Sequence, residues 1–260
     1  MGGDRLVVVG CGTVVPEGSH GASCYFAALD GARILLDCGP GALQALARLD
    51  LPLGSLTDVV LTHFHADHIG ALPGFLFACK HGLAAPRRTP LHVWGPVGTA
   101  GLFERLDAAF GPFIRDPGFP LLIHEILPGA ETVLAGGSRL LSHKTPHTDE
   151  SLAYRIEGRA GGVGYSGDTG PSDSLGPFMR SVDVFVCECS LPDDQPSDIH
   201  LTPARVARIA SAAAPDLLVL THIYPHLRER GDAAELVRAA GYGGAASVAS
   251  EGLEVRLSSA

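Results

Sequence analysis

Leu61-Thr-His-Phe-His-Ala-Asp-His-Ile-Gly-Ala-Leu-Pro-Gly74 sets three imidazoles and a carboxylate, His63, His65, Asp67 and His68, within six residues. The run Val59-Val60-Leu61 ahead of them reads as the end of a buried strand, and 67–81 reads as a helix. Side chains two apart on a strand point the same way, so His63 and His65 face one position. Asp67 and His68, past the turn, face an adjacent one. Four polar groups gathered where a buried strand ends cost free energy unless something positive holds them. Their number and spacing point to two divalent metal ions.

The rest of the chain is that of a compact protein. Its 260 residues suffice for a full core, and one domain over 1–260 fits the length. Only 18% of residues are charged and 46% are hydrophobic, against roughly 25% charged in average soluble chains. No apolar run approaches the ~20 residues of a membrane helix, and Leu6-Val-Val-Val9 is too short for a signal peptide and reads as a first strand. A cytoplasmic location without membrane attachment is expected. The six cysteines form neither a C-x-x-C pair nor a disulfide framework and read as buried free thiols in a reducing compartment. The formal charge of -9, with sparse and dispersed Arg and Lys, disfavours a nucleic-acid partner and leaves a small anionic or ester substrate. Arg87-Arg88 and Arg228/Arg230 read as solvated surface.

Strand signals fall at 5–9, 24–29, 33–37, 58–62, 91–94, 121–126, 132–135, 139–145, 152–157, 162–165, 183–187, 217–221 and 253–257. Helix signals fall at 42–48, 67–81, 96–110, 202–213 and 232–240, with Thr202-Pro203 as N-cap and first-turn proline. Strand-rich blocks that each finish in helices predict an α/β protein with two sheets sandwiched by helices. Three later segments place a ligand-type residue where a strand gives way to a loop: Thr145-Pro-His147, Tyr165-Ser-Gly-Asp168 and Leu220-Thr-His222.

With THFHADH at 62–68, PHTDESLAYRI at 146–156, YSGDTG at 165–170, ECSLPDD with HLTP at 188–203 and LTHIYP at 220–225 in this order, the chain resembles the metallo-β-lactamase-fold hydrolases. Within them it is most similar to the ribonuclease Z-like and small-phosphodiesterase branch. The resemblance implies a four-layer αββα sandwich and a dinuclear site. His63, His65 and His147 would hold one ion, Asp67, His68 and His222 the other, and Asp168 would bridge both. Zinc is the default for such nitrogen and oxygen donors, with manganese or iron as alternatives. Two divalent ions outweigh the charges of Asp67, Asp168 and a bridging hydroxide, so an acidic protein would carry a cationic pocket that suits an anionic ester. They would also bring the pKa of bound water towards 7 and so provide the nucleophile. Glu188 and His200 resemble a pair in which the carboxylate orients an imidazole that protonates the leaving oxygen. Asp67, Glu188 and His200 are thus the candidate catalytic groups.

Asp168 stands where many true β-lactamases of this fold carry cysteine, and His65 where oxygen-reducing diiron relatives carry glutamate. The long arm of the transfer-RNA-processing members has no counterpart in the connections at 110–135 and 156–163. Their P-x-x-x-R-x-x-S pattern reads here Pro16-Glu-Gly-Ser-His20-Gly-Ala-Ser23. The resulting expectation is a phosphodiesterase for a small phosphodiester. Alternatives are a thioester, lactone or aryl sulfate ester hydrolase, a ribonuclease Z-like endoribonuclease whose homodimer supplies a basic surface, and a metal-binding protein without turnover. The stretch 110–120, with Arg115, is the expected lid, and 190–199 an expected substrate loop. His81, His92, His124, His143 and His226 read as structural.

Overall fold

The computed structural model describes residues 3–257. Six strands in sequence, β1 (Arg5–Gly10), β2 (Cys24–Leu29), β3 (Ala32–Leu36), β4 (Asp58–Val60), β5 (Leu91–Pro96) and β6 (Leu121–Ile126), lie side by side in the first sheet. The next seven, β7 (Glu131–Val133), β8 (Arg139–Lys144), β9 (Leu152–Gly158), β10 (Gly161–Tyr165), β11 (Val184–Glu188), β12 (Leu217–Thr221) and β13 (Ala246–Val248), form the second. The last strand, β14 (Glu254–Arg256), returns to pair with β1. Both sheets follow one plan. β14, β1, β2 and β3 run antiparallel and then β3 to β6 parallel. Likewise β7 to β10 run antiparallel and β10 to β13 parallel.

Local chemistry explains the change from one pairing to the other. The β2–β3 hairpin turns on Asp30-Gly31, both at positive φ (51° and 88°), the backbone that a tight two-residue hairpin requires. Parallel neighbours need long crossovers, and these hold the helices. They are α1 (Ala42–Arg48), α2 (Ala66–Ile69), α3 (Leu72–His81) and α4 (Thr99–Phe110) in the first half. The second half has α5 (Leu175–Phe178), α6 (Pro203–Ala213), α7 (Pro225–Arg228) and α8 (Ala233–Ala239).

Three apolar layers glue the sandwich. Tyr25, Ile34 and Leu36 meet Tyr154, Tyr165 and Val186 between the sheets. Phe26 and Leu35 pack outward with Phe75 and Phe103 of α3 and α4. Phe185 and Leu220 pack with Val206 and Val237 of α6 and α8. Alternate residues of one strand thus enter different layers, and strands covered on both faces read as unbroken apolar runs. The expected four-layer αββα sandwich is the fold found.

The structure departs from expectation in places. The helix expected over 67–81 is two helices, broken at Gly70 and Ala71. Pro73 has no N–H to give Ile69, so it fits only the first turn of a new helix. A side chain at Gly70 would come within 2.5 Å of the Ala66 carbonyl. The helix expected from 96 starts at Thr99, after Gly98 at φ 105°. β13, α5 and α7, of three or four residues each, are too short to show a period. All six cysteines are buried and unpaired. Among the described residues no helix is long and apolar enough to cross a membrane.

Arg87 is not the solvated surface residue expected. It is 6% exposed and donates to the carbonyls of Leu56 (2.6 Å), Pro90 (2.7 Å), Thr89 (2.9 Å) and Gly54 (3.3 Å), with its guanidinium over the Phe119 ring. It ties the segments before β4 and β5 together. Arg87→Ala strands those carbonyls, and urea unfolding is expected to show a loss of about 2–3 kcal/mol, with Arg87→Lys recovering part of it.

Candidate metal centre

The parallel strands of both sheets end on one rim, and several of these ends deliver a polar residue. β4 is followed by Thr62, His63 and His65, and α2 presents Asp67 and His68. From the second sheet come His147 after β8, Asp168 after β10, Glu188 at the end of β11 and His222 after β12. Crevices beyond the carboxyl ends of parallel strands are the usual place for a site in such sheets.

All seven expected ligands converge. Donor atoms of His63, His65, His147 and Asp168 lie within 4.8 Å of one another, as do those of Asp67, His68 and His222. Asp168 sits between the groups. Its Oδ2 is 3.9 Å from His63 Nε2, 3.7 Å from His147 Nε2 and 3.5 Å from His222 Nε2, while its Oδ1 is 3.2 Å from His68 Nε2. His222 Nε2 is 3.3 Å from Asp67 Oδ2, and His65 Nδ1 is 3.0 Å from His147 Nε2. His63 Nε2, His68 Nε2 and Asp168 Oδ1 are buried without a hydrogen bond. The short His68–Asp168 distance brings charges together without an aligned hydrogen bond. Three orphaned atoms aimed at a common space are costly in a protein interior and fit a cation as their shared partner.

Hydrogen bonds behind the imidazoles fix which nitrogen faces that space. His68 Nδ1 donates to Asp37 Oδ2 at 2.7 Å, and His147 Nδ1 donates to the Ile199 carbonyl at 2.9 Å. The Thr62 hydroxyl gives its proton to Asp37 Oδ2 (2.9 Å), so it accepts from His63 Nδ1 (3.0 Å). Ser190 Oγ donates to Glu188 Oε2 (2.5 Å) or the His222 carbonyl (2.9 Å), and in either case accepts from His222 Nδ1 (3.1 Å). Four imidazoles therefore turn an unprotonated Nε2 inward, the form that binds a metal. His65 is exposed, and among the described residues its ring bonds only to His147 and to no neighbouring oxygen.

The electrostatics agree for His63 and His147. Burial, reinforced by His68, holds His63 well below its ordinary pKa. Burial also lowers His147. Burial would raise Asp168, yet the charges of His222 and His68 hold it well below the carboxylate range. His68 differs: burial opposes charge on it, but Asp168 and Asp37 outweigh burial and favour a second proton, on Nε2, which a metal ion would have to displace.

His200 and Glu188 adjoin this cluster. His200 has a ligand atom within 4.8 Å of those of Asp168 and His222, and its Nδ1 donates to Glu188 Oε1 at 3.0 Å. Glu188 is fully buried and held by the backbone N–H groups of Thr169 (2.6 Å) and Leu201 (3.0 Å). A cavity of about 320 Å³ opens over the cluster, with Val14, Ile199, His200 and Tyr224 in its wall. Burial pushes the Tyr224 phenol up to about 12, so it keeps its proton.

Two expectations fail and one holds in part. The stretch 110–120 lies on the outer layer, where Ile114 and Phe119 join the core with α3 and α4. It does not border the cavity over the His/Asp cluster, and Arg115 is no part of that wall. Pro117 and Phe119 are buried in packing, and the exposed Phe110, Pro112 and Pro120 lie away from that cavity. Of 190–199, Ile199 does reach the mouth. Sequence reasoning missed Asp37, Ser190 and Tyr224. For Asp37 a signal exists, since an aspartate directly after the buried run Ile34-Leu35-Leu36 needs several partners. Of the histidines read as structural, His92 and His124 stack with Trp94.

The sequence profile of the Beta-lactamase superfamily domain matches residues 32–223. The chain belongs to this superfamily and has the metallo-β-lactamase fold. It is a hydrolase of this superfamily with a His/Asp cluster that could hold divalent metal. It is 34% identical over 228 residues to Rv1339, an uncharacterized protein of Mycobacterium tuberculosis, covering 85% of this chain and 81% of that one. A ribonuclease Z of Mycobacterium bovis is 28% identical over 245 residues, covering 85% and 86%. The metallo-β-lactamase fold protein YhfI from Bacillus subtilis superposes with a TM-score of 0.80 at 25% identity, covering 97% and 98%.

Asp37 touches no substrate and acts through His68 and Thr62. Asp37→Asn is expected to weaken metal binding about 10- to 100-fold, read by competition with a chromophoric chelator.

Proposed function

We propose that the protein is a dinuclear metal-dependent phosphodiesterase acting on a small phosphodiester. His63, His65, His147 and Asp168 would hold one ion, and Asp67, His68 and His222 the other, with Asp168 shared. Zinc suits these donors best, with manganese or iron as substitutes. When bound, the ions supply Lewis acidity and an activated water.

The observation that carries the choice of ester is the Glu188–His200 pair. Burial opposes protonation of His200, but the hydrogen bond and charge of Glu188 outweigh it and raise its pKa. With Nδ1 committed to Glu188, Nε2 is free to give a proton to the leaving group. A thiolate leaves without help, whereas an alkoxide needs a proton. A built proton donor therefore supports a phosphodiester over a thioester. Asp67, anchored against His222, completes the catalytic set as a metal ligand.

The small mouth supports a small substrate, and the formal charge of -9 counts against nucleic acid. The ribonuclease Z relative keeps an endoribonuclease as the competing reading, one that a homodimer with a basic face would serve. Six buried free thiols suit a reducing compartment, and we place the protein in the cytoplasm.

Elemental analysis of protein purified without added metal should find close to two divalent ions per chain. Among bis-p-nitrophenyl phosphate, an acyl thioester and an aryl sulfate, the phosphodiester should be turned over fastest; turnover of the thioester alone would refute the assignment. His200→Ala should lower kcat about 10²- to 10⁴-fold for alkyl leaving groups and far less for p-nitrophenolate. Because Glu188 raises the His200 pKa, the proton is lost only as pH climbs through that raised value. Glu188→Gln should therefore move the alkaline limb of kcat/KM to lower pH.

A further inference from the structure

The two sheets end in four edge strands, and three of these are short. β7, β13 and β14 have three residues each, whereas β6 runs for six, Leu121-Leu-Ile-His-Glu-Ile126. Sheets commonly protect a free edge with a short strand, a proline, a bulge or a charged side chain. β6 has no proline, lysine or arginine, and its register on β5 is unbroken. Its one acidic side chain, Glu125, is turned onto the N–H groups of Gly98 (2.9 Å) and Ala100 (3.0 Å) at the start of α4. Leu91 donates to the Pro120 carbonyl at 2.9 Å, and this register directs the N–H and C=O groups of Leu122 and His124 to β5. Those of Leu121, Ile123 and Glu125 therefore point off the edge, and among the described residues no backbone group pairs with them.

The side chains around this edge are apolar too. Val97, Phe110, Leu122 and Leu127 are four of the eight large apolar side chains that the described residues expose. Leu122 lies in β6, Val97 and Leu127 directly follow β5 and β6, and Phe110 ends α4, which packs on β6. On the face of β6 turned to the other sheet, Leu122 is 40% exposed. Two residues on, His124 stacks on Trp94 with ring centroids 3.9 Å apart, and its Nε2 is 3.1 Å from His92 Nδ1. Burial and His92 keep the His124 pKa low, so this ring is uncharged at neutral pH.

We infer that β6 is the interface of a homodimer, in which it pairs antiparallel with β6 of a second copy about a two-fold axis at Ile123. The strand is its own complement. In this register Ile123 faces the partner's Ile123, Leu121 faces the partner's Glu125, and Leu122 faces the partner's His124. The three outward residues of each copy are then matched, in three pairs that each exchange two hydrogen bonds. A shift by one residue would set side chains of opposite faces against each other, and a longer one would leave Leu121 or Glu125 unmatched within the strand. The exposed Leu122 is covered by a flat, uncharged ring, and the two first sheets become one continuous sheet across the axis. Antiparallel pairing points the two candidate metal centres in opposite directions, so this dimer adds no residue to either.

Sedimentation equilibrium of the full chain at micromolar concentration should give twice the chain mass. Ile123→Pro removes the outward N–H at the axis and none of those that bond to β5. Leu122→Lys sets a charge against the partner's His124. Each should raise the dimer dissociation constant at least about tenfold, with far-UV circular dichroism checking that the variants are folded. Should Ile123→Pro not fold, Leu122→Lys, at an exposed position, carries the comparison. Opposed residues of a hydrogen-bonded pair have Cα atoms about 5.5 Å apart, within reach of a disulfide. Oxidised Ile123→Cys should therefore run as a covalent dimer, and Leu121→Cys, which faces the partner's Glu125, should not; the six native thiols are buried. A monomeric wild type would overturn the inference and leave the edge to a strand of another protein. A dimer that Leu122→Lys leaves intact, or one that Ile123→Cys fails to cross-link, would overturn it as well.

Discussion

One buried carboxylate organises the molecule. Asp37, fully enclosed at the end of β3, accepts the Thr62 N–H (2.8 Å), the Thr62 hydroxyl (2.9 Å), His68 Nδ1 (2.7 Å) and the Tyr165 hydroxyl (2.7 Å). Thr62 and His68 belong to the ligand segment of the first sheet, and Tyr165 to the second. The same group that compensates its own burial with four donors also sets the rings of two candidate ligands and holds the sheets in register at the rim. Tyr154 adds a parallel tie by donating to the Leu61 carbonyl at 3.0 Å.

This arrangement explains why the ligands converge although they come from distant parts of the chain. Most follow β4, β10 or β12, strands buried on both faces whose position is fixed by packing in two layers at once. His147 follows β8, which is buried on one face only. Short connections then leave little freedom. His222 takes a left-handed backbone, φ 55°, which turns it from β12 into the cluster while Ser190 holds its ring.

Much of this was legible in the residues. The spacing of His63, His65, Asp67 and His68 exposes the centre because it is local, and the apolar strands announce the layers because both faces are covered. His147, Asp168 and His222 became readable once strand ends were taken as one rim. What stayed hidden depends on contacts between segments far apart in sequence. Gly111 to Pro120 looks like a mobile cover by composition, yet Ile114 and Phe119 are core. Arg87 looks like surface, yet four carbonyls surround it. The break at Gly70 follows from Pro73, a signal present in the sequence but outweighed by the helical pattern around it.

The two halves of the chain build the same plan, four antiparallel strands' worth of ribbon leading into parallel ones, and neither half owns the centre. The first contributes His63, His65, Asp67 and His68, the second His147, Asp168 and His222. Any ion held there is a rivet across the seam between the half-chains. Since such an ion binds the joined form better than the parted one, it lends cohesion to the whole sandwich, and loss of metal would loosen the protein first along that seam.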